Sequence, residues 1–338
     1  MSTPEPAPPL RGAIVGLGMM GRHHARLLQA SSRIDFAGAV DPLGDRHAAV
    51  REPSLVYDSV DELLERGRPQ LAIVAVPTDE HLAVAEKLAA AGVHMLIEKP
   101  LAGSVQEGER IIAACRAAGV RAAVGHVERF NPALIELRRR TEEGQVGEVF
   151  LIATERCGPF PDRVRDVGVV KDLATHDIDL VAWLGKSPID VLSAQTAHKT
   201  GRAHEDLVLV TGRLRSGLAF SITVDWLTPT KTRRMRILGD RGMLVADTLT
   251  SDLVFHENGR VTSEWDSSQA LRGVAEGDST RYALKRREPL LSELEAFCDF
   301  VLGDDGSPAV SLEEGLQTVR CAEQVLESAR TSQTVRLG

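Results

Sequence analysis

The sequence predicts an α/β protein: a doubly wound parallel sheet at the N-terminus, followed by an α+β domain with a mainly antiparallel open sheet. Three observations carry this expectation. From residue 10 to about residue 125, short apolar runs alternate with helical segments, the rhythm of successive βαβ units. A turn rich in glycine, Gly16-Leu-Gly18-Met19-Met20-Gly21, stands between the first apolar run and the first helix. Beyond residue 126, strand-like segments follow one another directly, joined by turns such as Arg215-Ser216-Gly217 and Gly239-Asp240-Arg241-Gly242.

The N-terminal elements follow in order. Ala13 to Val15 reads as a buried strand, His23 to Gln29 continues a helix opening near Met20, and Phe36 to Val40 is a second strand ending at Asp41. A helix at Val60, a strand from Leu71 to Val76, a helix at Glu80 and a strand from Val93 to Ile97 come next. The helix Val105 to Ala118 and the strand Ala122 to Val124 complete the set. Ser59 with Glu62, Ser104 with Glu107 and Ser311 with Glu314 match the capping box, in which hydroxyl and carboxylate satisfy orphan amides at a helix start.

In the second part, helices are expected from Pro132 to Glu142 and from Asp172 to Leu184, with a strand from Glu148 to Thr154. Strands follow at Val191 to Lys199, Leu207 to Leu214, Leu218 to Trp226, Thr232 to Leu238 and Gly242 to Asp247. Ser263 to Asp278 reads as a mobile loop, and helices at Leu290 to Leu302 and Leu312 to Ala329 end the chain. The expected division is a disordered, proline-rich tail over 1–9, a dinucleotide-binding domain over 10–125, and an α+β domain over 126–338 whose final helix can pack back on the first.

Composition narrows the function classes. The 338 residues suit two domains, and 43% hydrophobic with 26% charged residues is ordinary for a globular protein. Forty basic against 48 acidic residues leave a net charge of −8, so a nucleic-acid partner has no electrostatic footprint. The clusters Arg138 to Arg140 and Lys285 to Arg287 read as solvated helix faces. Cys115, Cys157, Cys298 and Cys321 show no metal or disulfide spacing, and no stretch approaches a membrane span. The tail lacks the pattern of a signal peptide, so a cytoplasmic location, no membrane partner and no metal are expected.

Each glycine of the turn has a physical task. Gly16 allows the tight turn, Gly18 leaves no side chain between backbone and a pyrophosphate, and Gly21 permits close packing of helix on strand. The phosphates then meet free N–H groups at a helix N-terminus. Asp41 follows Gly21 by twenty residues, and a carboxylate there accepts hydrogen bonds from a free ribose 2′-OH and repels a 2′-phosphate. NAD is expected over NADP; Arg46 is the nearest cation that could receive a phosphate.

In an open parallel sheet the ligand lies outside the carboxyl ends of the strands. The segments to inspect are therefore Val76-Pro77-Thr78, Glu98-Lys99-Pro100 and Gly125-His126, with His81 just beyond the first. Lys99 could meet a substrate hydroxyl and lower its pKa by positive charge, although a surface lysine before a turn proline fits the same spacing. In Asp172-Leu-Ala-Thr-His176-Asp-Ile-Asp179, offsets of four and three put Asp172, His176 and Asp179 on one helical face. A carboxylate beside an imidazole suits a general base, and a surface ion-pair cluster is the alternative.

These features together resemble the Gfo/Idh/MocA family of oxidoreductases. GLGMMGRHHARLL, the Glu98-Lys99-Pro100 tripeptide and the Asp172/His176 pair stand in the family's order and spacing. The resemblance implies a Rossmann domain with NAD, and a C-terminal α+β domain whose open sheet forms a homodimer or homotetramer. It implies Lys99 near the nicotinamide and the reacting hydroxyl, His176 as general base, and Asp172 beside it. The cofactor residues would be Gly16, Gly18, Met19, Met20, Gly21, Asp41, Val76, Pro77, Thr78, His81, Glu98, Lys99 and His126.

A narrower resemblance, to the UDP-N-acetylglucosamine 3-dehydrogenase branch, lies in Gly125-His-Val-Glu-Arg-Phe-Asn-Pro132 and in Glu155 to Gly168. Ala174 and Thr175 stand where many family members carry glycines, a departure that fits this branch. It implies a UDP-sugar oxidised to a 3-keto sugar, with Glu128, Arg129, Arg156, Arg163 and Arg165 facing the substrate beside Lys99, Asp172 and His176. Guanidinium groups suit a diphosphate through forked, charge-assisted hydrogen bonds. Ion pairing with Glu155, Asp162 and Asp166 is the other use of these arginines. The rival functions are a dehydrogenase of a free cyclitol or simple sugar, and a dinucleotide-binding regulator without turnover.

Overall fold

The structure is a computed structural model that describes residues 8–161, 167–259 and 276–337. The chain forms two compact units, Met1–Val127 with Leu290–Arg320, and Glu128–Pro289 with Cys321–Gly338. Beyond the expected boundary near residue 125 the chain passes between the units twice more, at 289/290 and at 320/321: residues 290–320, expected in the second domain, pack within the first unit.

The first unit is built on a seven-stranded sheet. Its strands are β1 (Leu10–Val15), β2 (Ile34–Val40), β3 (Val56–Tyr57), β4 (Leu71–Val74), β5 (His94–Glu98), β6 (Ala122–Gly125) and β15 (Val310–Ser311), in the order β15-β6-β5-β4-β1-β2-β3. β1 to β6 are parallel and β15 joins β6 antiparallel. The order reverses beside β1, which is where a doubly wound sheet opens its ligand crevice. Successive residues feed opposite faces: Ala13, Val15, Ala72, Val74, Met95 and Ile97 enter one apolar cluster, and Ile14, Ile73, Leu96 and Ala123 the other. Burial on both faces explains why these strands read as unbroken apolar runs.

Helices cover both faces. α1 (Gly21–Ala30) contributes Ala25 and Leu28 to one cluster, and the Pro289–Val301 helix adds Leu290, Leu294 and Phe297 to the same cluster. That shared face is the physical reason residues 290–320 return to the first unit. The segment expected to be helical at Val60 forms α2 (Val60–Glu62) and then a π turn over Leu63–Gly67. α3 (His81–Ala90) and α4 (Val105–Ala118) cover the other face through Leu88, Ile111 and Cys115. α4 starts as its capping box predicts, Ser104 Oγ accepting from Glu107 N–H at 3.3 Å and Glu107 Oε2 from Gly103 N–H at 3.1 Å.

The second unit carries a nine-stranded sheet in the order β14-β13-β12-β11-β7-β10-β9-β8-β16. The strands are β7 (Val149–Pro159), β8 (Ile189–Ala197), β9 (Leu207–Leu214), β10 (Ala219–Asp225), β11 (Leu227–Gly239), β12 (Gly242–Asp247), β13 (Asp252–Asn258), β14 (Glu276–Tyr282) and β16 (Val335–Arg336). Only the β7–β10 pair is parallel among these described strands. The two expected turns close the β9–β10 and β11–β12 hairpins. The loop expected over Ser263 to Asp278 needs correcting at its end, where Glu276 begins a strand paired with β13; residues 263–275 lie outside the described residues. α5 (Pro132–Glu142) and α6 (Thr175–Leu184) share one apolar cluster with the sheet through Leu134, Leu137, Ile178 and Val181.

Candidate active site

In the first unit the glycine turn is shaped by two close approaches. Gly16 has φ +96°, and a Cβ there would lie 2.5 Å from the Ala75 carbonyl oxygen. A Cβ on Gly21 would lie 1.9 Å from the Gly16 oxygen, so its small size serves packing of the helix on the turn itself. A Cβ on Gly18 would meet nothing within 4 Å, which leaves its face open for a ligand. α1 begins with no side-chain cap and no acidic residue in its first turn, and Met19 and Met20 are 50% and 39% exposed. The Arg22 and His23 amides donate to the Gly18 and Met20 carbonyl oxygens at 3.1 and 2.9 Å, so it is the positive end of the helix dipole that favours an anion at this turn.

Asp41, buried at the end of β2, is tied to this turn. Its Oδ2 accepts from Leu17 N–H and its Oδ1 from Leu43 N–H, both at 2.9 Å. Each oxygen keeps a second lone pair for a ribose hydroxyl. The cradle beside Gly18, the uncapped helix and this carboxylate fit a dinucleotide without a 2′-phosphate.

Val76, Pro77 and Thr78 follow β4, and the buried His81 ring lies 3.2 Å from the carbonyl oxygens of both Val76 and Leu101. His81 therefore braces the turns after β4 and β5. Lys99 follows β5 and is partly exposed, while His126, after β6, is buried. Glu98 is held by His24, whose Nε2 lies 2.8 Å from Glu98 Oε1. Burial works against the Glu98 charge, but His24 outweighs it and holds the carboxyl below its ordinary range.

Two members of this cluster escaped sequence reasoning. His24 occupies the buried stripe Gly21, His24, Ala25, Leu28 of α1. Glu293 occupies the buried stripe Leu290, Glu293, Leu294, Phe297 of its helix, and neither carboxyl oxygen has a hydrogen-bond partner. Burial, and then the neighbouring Glu98 charge, push its carboxyl well above the ordinary range. A polar residue inside an apolar 3.6-residue stripe was the available signal for both.

In the second unit, Val170–Ala174 forms a π turn and α6 follows. Asp172 lies in that turn and His176 in the first turn of α6, so a wider π turn, not a continuous α-helix, sets the offset of four between Asp172 and His176. From Ala174 to Val181, His176 alone is not buried. Asp179 instead pairs with Arg129, whose Nε and Nη2 donate to its two oxygens at 2.9 and 2.6 Å. Arg156 donates from Nε to Asp177 at 2.6 Å and from Nη1 to Glu128 at 2.8 Å.

Ion pairing, the alternative for the arginines, is thus what Arg129 and Arg156 show, with Asp179, Asp177 and Glu128 in place of Glu155, Asp162 and Asp166. Burial opposes the Arg156 charge, but Asp177 and Glu128 hold its pKa above the ordinary range. Arg163 and Arg165 lie outside the described residues.

A dinucleotide cradle on a doubly wound sheet, with a lysine at the end of one of its strands, is the equipment of the nicotinamide-dependent oxidoreductases. Family models for "Oxidoreductase family, NAD-binding Rossmann fold" and "Oxidoreductase family, C-terminal alpha/beta domain" match residues 10–126 and 138–337. The chain belongs to the Gfo/Idh/MocA family. It is 30% identical over 295 residues to the UDP-N-acetylglucosamine 3-dehydrogenase of Acidithiobacillus ferrooxidans, covering 86% of this chain and 88% of that one. The solved structure of that dehydrogenase, GnnA, matches with a TM-score of 0.82 and 27% identity over 95% of this chain and 98% of its own. Myo-inositol dehydrogenase Hyg17 of Streptomyces leeuwenhoekii is 28% identical over 330 residues, 94% of this chain and 96% of that one.

Proposed function

We propose that this NAD-dependent oxidoreductase oxidises the C3 hydroxyl of a UDP-linked hexose, UDP-N-acetylglucosamine first among them, to a 3-keto sugar. The observation that carries the reading is the similarity to UDP-N-acetylglucosamine 3-dehydrogenase over 88% of that protein's length. Gly16, Gly18, Met19, Met20, Gly21 and Asp41 would hold the cofactor, with the turns at Val76 to Thr78 and at Glu98, Lys99 and His126 around it. NAD, when bound, accepts the hydride leaving the carbon that bears the hydroxyl.

Lys99 places positive charge at the reacting oxygen, where negative charge develops as the proton leaves. His176 takes that proton, and Asp172 stabilises the imidazolium that results. The His24–Glu98 pair fixes the residue before Lys99. Exposed leucines on one face of the nine-stranded sheet, Leu209 at 44% and Leu238 at 36%, support pairing of two or four copies through that face.

The test is product analysis after incubation with NAD and UDP-N-acetylglucosamine. Loss of two hydrogens and a ketone at C3 is the expected result; an unaltered sugar contradicts it. The second reading, oxidation of a free cyclitol, is favoured by the full-length similarity to Hyg17 and is met by turnover of myo-inositol instead.

A further inference from the structure

Arg156 on β7 and Arg233 on β11 stand directly opposite each other in the antiparallel register. Like charges in that position destabilise a sheet. Arg156 is compensated twice, by Asp177 and Glu128. Arg233 makes no direct ion pair among the described residues and feels Asp177 and Glu128, the partners of Arg156, only through space; its Nη1 donates to the carbonyl oxygens of Cys157 at 2.6 Å and Thr232 at 2.8 Å. The guanidinium is half-buried, and burial followed by the Arg156 charge lowers its pKa. Two carbonyl acceptors and the more distant Asp177 and Glu128 charges thus offset the burial of this cation only in part.

Geometry suggests what the cation is for. The two carbonyls fix Arg233 through one nitrogen, and among the described residues Nε and Nη2 have no acceptor. Two free N–H edges on an immobilised guanidinium make the fork that matches two phosphate oxygens. Arg233 shares its face of the sheet with Arg156, which reaches Asp177, the neighbour of His176 on α6. A ligand anion on Arg233 would therefore lie in the unit, and on the face, that carry the proposed base.

We infer that Arg233 binds the diphosphate of the nucleotide sugar, a part expected from sequence to fall to Arg129, Arg156, Arg163 and Arg165. The inference rests on the nucleotide-sugar reading above and adds to it the residue that selects a phosphorylated substrate over a free sugar.

The experiment compares the native enzyme with Arg233→Met and Arg233→Lys, using UDP-N-acetylglucosamine as substrate and UDP as inhibitor. The Met variant is expected to raise KM and the UDP inhibition constant together by about 10- to 100-fold, with kcat and NAD affinity near native. The Lys variant recovers part of the loss. Because a like-charge pair is relieved, the Met variant melts no lower than the native protein, whereas an arginine needed only for structure would lower the melting temperature. Native-like KM and UDP inhibition in the Met variant, or a marked fall in its melting temperature, overturn the assignment while leaving the substrate reading intact. A native enzyme that neither turns over UDP sugars nor is inhibited by UDP overturns both.

Discussion

Arg156 Nε donates to Asp177 Oδ2 at 2.6 Å inside the second unit, and Asp177 is the residue next to His176. Both partners are buried, at 5% and 2% exposure. The pair clamps the helix that presents the proposed base to the strand beneath it. Removing one partner leaves a buried charge without compensation, which costs roughly 3–5 kcal/mol. Arg156→Met is therefore expected to lower unfolding stability by about that amount in a denaturant titration, and a change under 1 kcal/mol would show that the pair does not hold α6.

Glu293 and Glu98 make stability depend on pH in opposite senses. Glu293 is raised above its unfolded value, so its contribution is full below the ordinary glutamate range and is lost as pH rises toward its folded pKa. Glu98 is lowered, so its contribution is present above that range and is lost only as pH falls through its folded pKa. Glu293→Gln keeps the shape and removes the titration. Its melting temperature should exceed the native value by more at about pH 8 than at about pH 5. An equal difference at both would mean that Glu293 is ionised in the folded protein.

In the proposed cofactor site, Asp41 is the residue that would set the choice of dinucleotide. Replacing it with Asn removes the negative charge and keeps one acceptor for the Leu17 or Leu43 amide. The ratio of NADP to NAD affinity should rise about tenfold or more. Fluorescence titration of both nucleotides reads this directly, and an unchanged ratio would assign discrimination elsewhere.

His176→Asn should leave NAD binding intact and lower kcat by about 10²- to 10⁴-fold, the usual worth of a general base. The pH profile is the sharper readout, since the limb belonging to the imidazole disappears with it. A variant with native kcat would return His176 to the surface ion-pair reading.

Much of the fold was legible because its causes are local. Helices α4 and α5 and strands β9 and β12 occupy the expected residues, each bounded by a cap, a proline or a hairpin turn that acts within a few residues. The expected loop ends at Asp278 and so takes in the start of β14, because Glu276 to Tyr282 is polar and carries no apolar alternation; its strand state comes from pairing with β13 at a sheet edge. The two-residue strands β3, β15 and β16 have the same origin in tertiary pairing. At the site, glycine spacing and strand ends were readable, since backbone conformation dictates them. Which carboxylate serves which arginine was not: Asp179 and Asp177 find Arg129 and Arg156 through packing of α6 on the sheet, and sequence distance carries no trace of that choice.

The most direct test of the central claim follows nicotinamide absorbance for the native enzyme and Lys99→Met with NAD and, separately, UDP-N-acetylglucosamine, UDP-glucose, glucose and myo-inositol. Reduction by the native enzyme with the UDP sugars alone, and a Lys99→Met variant that binds NAD yet stays silent, is the predicted result. Turnover confined to glucose or myo-inositol, or native turnover by the Lys99→Met variant, would contradict it.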